Sequence, residues 1–189
     1  MIWSIGGLLG LLLLGWLCQP YTILAQQLAV EFCKGGECVS FDPKHIRELV
    51  VRPTLQEMPM WSESAEELIM LTGAKESLLG KFLRQTGRKA GEYGPAFGWL
   101  QIERPTFEWL RKVFPQFLAG RQAEELVWDL KLSVIAARLK YRTIRAPLPA
   151  AGDLQALAEY WDKYYNANPV YGWPSEAIAK YKKYVLLEN

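Results

Sequence analysis

The sequence of 189 residues contains a single histidine and only three cysteines. His45 has no second metal-ligating residue at a useful spacing, and no paired CxxC motif is present. The chain also lacks the phosphate-binding loop of nucleotide-hydrolysing proteins and the GxGxxG of dinucleotide-binding proteins. Metal, nucleotide and Ser/His/Asp chemistry are therefore not expected, and we predict no cofactor and no metal site.

Excess charge is also missing. The formal net charge is only +2, and no long run of lysine and arginine occurs, so nothing favours a nucleic-acid partner. Half of the residues are hydrophobic, which is enough for a sizeable core. The length fits one domain with an appendage.

The appendage is the hydrophobic segment 1–30, which carries no charge before Glu31. Its run 2–18 spans roughly 26 Å as a helix, just short of a ~30 Å hydrocarbon core. We predict that this helix associates with a membrane. An export signal cleaved before Gln26 and a buried core helix are the alternatives.

Residues 31–40 resemble a β-hairpin, because two short β-like runs flank Gly35 and Gly36. Cys33 and Cys38 would flank the turn, and facing cysteines across a hairpin can reach disulfide distance. We predict a disulfide between them, which fits an oxidising compartment. The alternative is two reduced surface thiols, and Cys18 has no assigned partner.

Residues 41–189 have the pattern of a mainly α domain. We predict a short first helix that stops near Pro53 and a long central helix over 64–85, with Ser64 and Glu67 as its capping box. The glycine-rich stretch 86–102 permits only loop or short, bent strands. Further helices are predicted over the ranges 104–114, 124–144, 153–166 and 174–187.

Glu76 is an unusual residue within the central helix. At about 100° per residue it shares a face with Ile69, Thr72 and Gly73, and the rest of the helix is also apolar. A buried carboxylate is costly unless it is paired, neutral or used in chemistry. The pattern therefore indicates either a structural ion pair with a nearby lysine or arginine, or a functional acid.

Three sequence blocks resemble the soluble lytic transglycosylases and the related goose-type lysozymes. They are Glu76-Ser77 near the end of a buried helix, the Gly-x-x-Gln-Ile sequence of residues 98–102, and Tyr165-Asn166 at the end of a late helix. From about Phe41 onward the chain is still more similar to uncharacterised phage-encoded members. The resemblance implies a lysozyme-like α+β domain.

This resemblance also implies a chemistry. Glu76 would act first as acid and then as base on the glycan strand of peptidoglycan, the substrate's N-acetyl group would assist, and the product would be a 1,6-anhydro sugar. Ser77, Gln101, Tyr165 and Asn166 would bind the substrate. Because two-carboxylate glycosidases need a partner acid, a lysozyme-type hydrolase would instead recruit Glu92 or Glu103.

We therefore expect a peptidoglycan lytic transglycosylase that acts during passage of a phage through the cell wall. It would be located in the virion or, facing the periplasm, at the membrane of the bacterial envelope. Its candidate partners are peptidoglycan, the membrane and other virion proteins. The main alternative is a non-catalytic virion structural or peptidoglycan-binding protein with the same fold. A membrane-anchored host enzyme of wall remodelling is a further one.

Overall fold

The computed structural model describes residues 40–87, 91–166 and 173–188. All of them belong to one folding unit, Ser40–Asn189. The predicted membrane-associating helix 2–18 and the predicted hairpin with Cys33 and Cys38 lie outside the described residues.

The described chain is mainly helical and carries one three-stranded antiparallel sheet, which confirms the coarse fold prediction. Helix α1 comprises Pro43–His45, the π-helical Ile46–Val51 and Arg52–Glu57, and α2 covers Glu63–Ser77. The strands that follow are β1 (Arg84–Thr86), β2 (Tyr93–Phe97) and β3 (Ile102–Glu103). The later elements are α3 (Arg104–Val113), α4 (Pro115–Leu118), the 3₁₀ turn Ala123–Val127, α5 (Leu130–Arg142), α6 (Leu154–Tyr164) and α7 (Pro174–Tyr181), which continues as the π-helical Lys182–Leu186.

Helix α1 does not stop at Pro53, so the predicted end of the first helix is wrong. The π-helical segment before the proline widens the helix, and the amide of Arg52 donates to the carbonyl of Arg47, five residues back. Pro53 then occupies the first turn of the segment Arg52–Glu57, where the missing amide proton and the fixed φ of proline are tolerated.

Helix α2 begins and ends earlier than predicted. Its N-cap is Ser62, whose hydroxyl accepts from the amide of Ala65 at 3.1 Å, rather than Ser64. It ends at Ser77 because Leu78 (φ 54°) and Leu79 (φ 55°) both adopt left-handed backbone angles. Such angles are unfavourable for L-residues, and they leave Glu76 one residue from the helix end instead of in its middle.

The glycine-rich stretch forms short strands, one of the two outcomes predicted for it. Strands β1 and β2 pair with a register irregularity, and β2 pairs with β3 through Phe97 opposite Ile102. The sheet therefore follows directly after the end of α2, and the four residues 98–101 form the turn between β2 and β3.

The predicted helix 124–144 is in fact two elements. The 3₁₀ turn Ala123–Val127 comes first, and α5 then starts with Asp129 as its N-cap, which accepts from the amide of Leu132 at 2.8 Å. An aspartate that caps a helix favours a new start over continuation. The predictions for the helices over 104–114, 153–166 and 174–187 are confirmed to within a few residues.

Helix α2 lies at the centre of the domain, in contact with α5, α6 and α7. Its buried residues surround the helix on nearly all sides, as its sequence predicted. None of the helices within the described ranges has the length and hydropathy that a membrane span requires.

Candidate active site

Glu76 lies at the C-terminal end of α2, half-buried, beside α6. The indole Nε1 of Trp161, a residue of α6, donates to its Oε1 at 3.0 Å. The carbonyl oxygen of a neutral carboxyl group is the better acceptor, so this bond favours a proton on Oε2. The contact fixes the carboxyl group and leaves one oxygen for proton transfer.

Burial raises the pKa of Glu76 above its ordinary value. The Trp161 hydrogen bond and the charges of Lys140, Lys75 and Lys180 act in the opposite direction, but desolvation is the larger effect. Desolvation favours the neutral form of a carboxyl group. Glu76 therefore keeps its proton at higher pH than an exposed glutamate, which is the property that a general acid needs.

A chain of contacts joins Glu76 to α7. The Nζ of Lys75 lies 5.3 Å from the centre of the Trp161 ring and donates to Oε2 of Glu176 at 3.1 Å. Glu176 also pairs with Lys180 at 2.8 Å. The two lysines hold the pKa of Glu176 below its ordinary value, the Lys180 bond most of all. The charge of Glu176 thus offsets the charges of Lys75 and Lys180, two of the three lysines that lower the pKa of Glu76.

Replacing Glu176 by Gln is expected to lower the pKa of Glu76. The substitution leaves the charges of Lys75 and Lys180 uncompensated, and nearby cations favour the carboxylate. A ¹³C NMR titration of the Glu76 carboxyl group should therefore show its midpoint at lower pH than in the parent protein.

Glu57→Gln is the matched control for this prediction, since Glu57 pairs with Lys131 at the surface, at 3.3 Å. Neither residue of that pair contributes to the pKa of Glu76. An unchanged Glu76 titration in Glu176→Gln would contradict the assigned role of Glu176.

Lys140 of α5 connects Glu76 to the sheet. Its Nζ donates to the carbonyl of Tyr165 at 2.7 Å and lies 3.9 Å from the centre of the Tyr165 ring. Burial lowers the pKa of Lys140, while the charges of Glu76 and Glu103 raise it. The same ammonium therefore interacts with both carboxylates, although Glu103 is exposed.

Within the described residues, Glu92 has no comparable link to the candidate site. It is exposed, and its backbone carbonyl accepts from the amide of Gly87 at 2.7 Å in the connection between β1 and β2. Of the two residues predicted as possible second acids, Glu103 is the one whose charge acts in the surroundings of Glu76.

Tyr165 ties the end of α6 to the turn of the sheet. The side chain is buried, and its hydroxyl donates to the carbonyl of Leu100 at 2.7 Å. Burial raises its pKa well above the usual range, so the hydroxyl remains a donor. Asn166 is half-buried, and its Nδ2 donates to Asp162 at 3.1 Å. The predicted Tyr-Asn block therefore lies next to the turn of the predicted Gly-x-x-Gln-Ile block.

Ser77 and Gln101 use their polar groups inside the protein. Ser77 is fully buried, and its hydroxyl donates to the carbonyl of Gly73 at 3.2 Å and accepts from the amide of Gly80 at 2.7 Å. The amide nitrogen of Gln101 donates to the carbonyls of Gly98 and Phe82, at 2.7 and 3.2 Å. The hydroxyl of Ser77 thus closes the helix end, and substrate binding by Ser77 stays a prediction.

The turn 98–101 is held by close packing. Gly98 has φ +73°, and a Cβ there would lie 2.4 Å from the carbonyl oxygen of Leu126. Trp99 is fully buried beside Gly73, where an added Cβ would lie 2.2 Å from the indole ring. Gly73 thus allows Trp99 of the turn to approach α2 three residues before Glu76, whereas Gly98, a glycine of the predicted block, allows the turn to approach the 3₁₀ turn Ala123–Val127.

Three contributors to the candidate site were missed by the sequence predictions. Trp161 lies on the apolar stripe of its helix, which signals only a core position; it is buried, but it also binds Glu76. Lys140 and Glu176 lie on ordinary amphipathic helices and carry no local signal. The described residues contain no group of His, Cys, Asp or Glu that could hold a metal ion.

No protein-family model, curated protein or solved structure matches this chain. The resemblance to lytic transglycosylases thus stays a prediction that depends on the three sequence blocks, and the candidate site has to be judged on its own geometry.

Proposed function

We propose that residues 41–189 form a lysozyme-like domain that cleaves the MurNAc–GlcNAc β-1,4 bond of peptidoglycan as a lytic transglycosylase. The observation that carries the proposal is Glu76, a carboxyl group with a raised pKa, oriented by Trp161 at the end of a central helix that leads into a small antiparallel sheet. Glycosidic cleavage needs such a protonated acid near neutral pH.

In the first step, the proton on Oε2 of Glu76 passes to the glycosidic oxygen as the bond from that oxygen to C1 of MurNAc breaks. The N-acetyl group of the same sugar stabilises the positive charge at C1. Lys75, Lys140 and Lys180 stabilise the carboxylate that forms on Glu76, because opposite charges favour the ionised form.

In the second step, the Glu76 carboxylate removes the proton of the C6 hydroxyl, and that oxygen bonds to C1. The acid is regenerated, no water is consumed, and the product is a 1,6-anhydro sugar. A single carboxyl group is enough for both steps, so the scheme needs no second acid.

Digestion of purified sacculi with the full chain in mild detergent should therefore release 1,6-anhydromuropeptides. Mass spectrometry distinguishes them from hydrolysis products, which contain one more water molecule. Reducing-end sugars alone would indicate a hydrolase, and Glu103→Gln would then be expected to abolish turnover, since Glu103 shares Lys140 with Glu76.

A wall-binding protein without turnover is the second candidate. The observation in its favour concerns Ser77, Gln101 and Tyr165, which the resemblance assigns to substrate binding. All three hydrogen-bond within the protein instead. Sedimentation with sacculi in the absence of any soluble product would support this candidate and reject the first.

The proposed place of action is the phage virion or the bacterial envelope, with residues 2–18 at the membrane. That part of the proposal is supported by the sequence alone. Flotation with liposomes, compared between the full chain and a chain that starts at Gln26, tests it.

A further inference from the structure

A cavity of about 560 Å³ lies near the N-terminal end of α2, away from Glu76. It is lined by side chains of α1, α2 and the segments that precede α2 and α6, namely Arg47, Arg52, Gln56, Trp61, Glu63, Glu66, Glu67 and Ala151. This volume is within the range of about 300–1,000 Å³ that is typical of small-molecule sites.

One buried carboxylate fixes three of the side chains that line this cavity. Glu66 accepts from Arg47 at 3.2 Å, from Arg52 twice at 2.8 Å, and from the indole nitrogen of Trp61 at 2.9 Å. Desolvation alone would raise the pKa of Glu66, but these bonds hold it below its ordinary value. Both guanidinium groups and the indole ring are therefore held in place before any ligand arrives.

A second set of bonds fixes Glu67, another residue that lines the cavity. Arg47 donates to the hydroxyl of Tyr181 at 3.0 Å, and that hydroxyl donates to Glu67 at 3.1 Å. The other oxygen of Glu67 accepts from the amide of Gly152 at 2.6 Å, next to Ala151. Burial raises the pKa of Tyr181 to about 12, so its hydroxyl stays protonated. Prearranged walls reduce the entropy lost on binding.

The chemistry of the lining selects for a neutral, polar ligand. The two arginines are balanced by Glu66 and Glu67, and the exposed Glu63 adds negative charge that repels anions. The one charge left over, on Glu63, is exposed to solvent that screens it, so a cation gains little from it. The rest of the lining is a mixed set of hydrogen-bond donors and acceptors, including the exposed side-chain amide of Gln56. It also includes the indole of Trp61, a residue that is 42% exposed. An amphipathic ring beside planar polar groups suits a ligand with one apolar face and many hydroxyls.

We propose that this cavity is a binding site for a neutral sugar unit, with Trp61 as its apolar platform and with Gln56 and Glu63 as rim hydrogen-bonding groups. The site is separate from Glu76: Glu67 and Glu76 lie nine residues apart on α2, which is about 14 Å along the axis and roughly half a turn around it. Binding here therefore does not depend on cleavage at Glu76.

Among the described residues, two indole N–H groups bond to carboxylates, and each is a reporter for one of the two sites. In a ¹⁵N–¹H NMR titration of the full chain in detergent micelles, the probe is the trisaccharide of N-acetylglucosamine. The Trp61 signal, assigned with Trp61→Phe, should shift saturably with Kd below about 10 mM. The Trp161 signal monitors Glu76 independently, so a failure of the proposed catalysis does not affect the result at Trp61.

Gln56→Ala should weaken the binding reported by Trp61 about fivefold, the effect of one lost hydrogen bond. Gln155→Ala is the matched control, since Gln155 is another exposed glutamine on a helix, and it should leave the Kd unchanged. Both variants should keep the Tm of the parent protein.

Three results would overturn the proposal. They are no shift of the Trp61 signal at about 10 mM trisaccharide, a shift that Gln56→Ala and Glu63→Ala both leave unchanged, and tighter binding of inorganic phosphate than of the trisaccharide.

Discussion

Glu76→Gln is expected to reduce the release of muropeptides by about 10²–10⁴-fold, the usual contribution of general acid–base catalysis. Glutamine keeps the shape of the side chain, and its carbonyl oxygen can still accept from Trp161, but it has no acidic proton to donate. The rate is measured on purified sacculi by chromatography of the soluble products. Near-normal turnover in this variant would show that Glu76 is not the acid.

Glu159→Gln provides the matched control, because Glu159 is an exposed glutamate of α6, the helix that carries Trp161. This variant should retain normal turnover. A comparable loss of activity in both variants would point to a general effect of the substitution rather than to proton transfer at Glu76.

The stability of Glu76→Gln should depend on pH in a defined direction. The pKa of Glu76 is raised in the folded state, so between the ordinary and the raised value the folded protein binds more protons than the unfolded chain. In that window the stability of the parent protein falls as the pH rises. Glutamine does not ionise, so the difference in Tm in favour of the variant should be smallest in acid and largest above the raised pKa.

Gly73→Ala is expected to destabilise the domain by about 2 kcal/mol, which is typical of overpacking. Alanine normally stabilises a helix interior by about 1 kcal/mol relative to glycine, so the expected sign is reversed. The reason is that the new Cβ would lie 2.2 Å from the ring of Trp99, which is fully buried and in edge contact with Phe41. For a domain of this size, the Tm should fall by roughly 4–8 °C.

Activity should fall with stability in this variant. Trp99 belongs to the turn 98–101, which Tyr165 ties to α6, the helix whose Trp161 binds Glu76, so displacement of that turn is expected to disturb the position of the acid. Misplacement by about 1 Å can cost 10²-fold in rate.

A double-mutant cycle tests whether the ring contact is the cause. Trp99→Phe removes the ring atoms that meet the new Cβ, so the Gly73→Ala/Trp99→Phe pair should be more stable than the sum of the single effects predicts. Gly120→Ala is a control without a clash: Gly120 has φ +75° and no heavy atom within 4 Å of an added Cβ. It should cost about 1–2 kcal/mol of backbone strain without loss of activity. Additivity in the cycle would contradict the packing explanation.

The predictions for the fold were right where the signal is local and strong. Helices α3, α6 and α7 have clear apolar faces, and each begins at a polar residue or a proline. Their predicted bounds are therefore close to the observed ones. The errors occur where a backbone choice depends on distant packing. Leu78 and Leu79 would continue a helix by propensity, yet the helix ends there and the backbone turns left-handed, with Phe41 donating its amide to the carbonyl of Leu79 at 2.8 Å.

The sequence by itself determined that Glu76 lies in a helix that is apolar nearly all round, because helical periodicity depends only on the order of neighbouring residues. It also marked the glycine-rich stretch and the Tyr-Asn block. Only the tertiary structure decided which groups meet there. Trp161 bonds to Glu76 although 85 residues separate them along the chain. The separation is 101 residues for Glu176 and Lys75, and 65 for Tyr165 and Leu100. The physical reason is that the pKa of a carboxyl group is set by the desolvation and the charges around it in space, and those are fixed only when distant helices pack together.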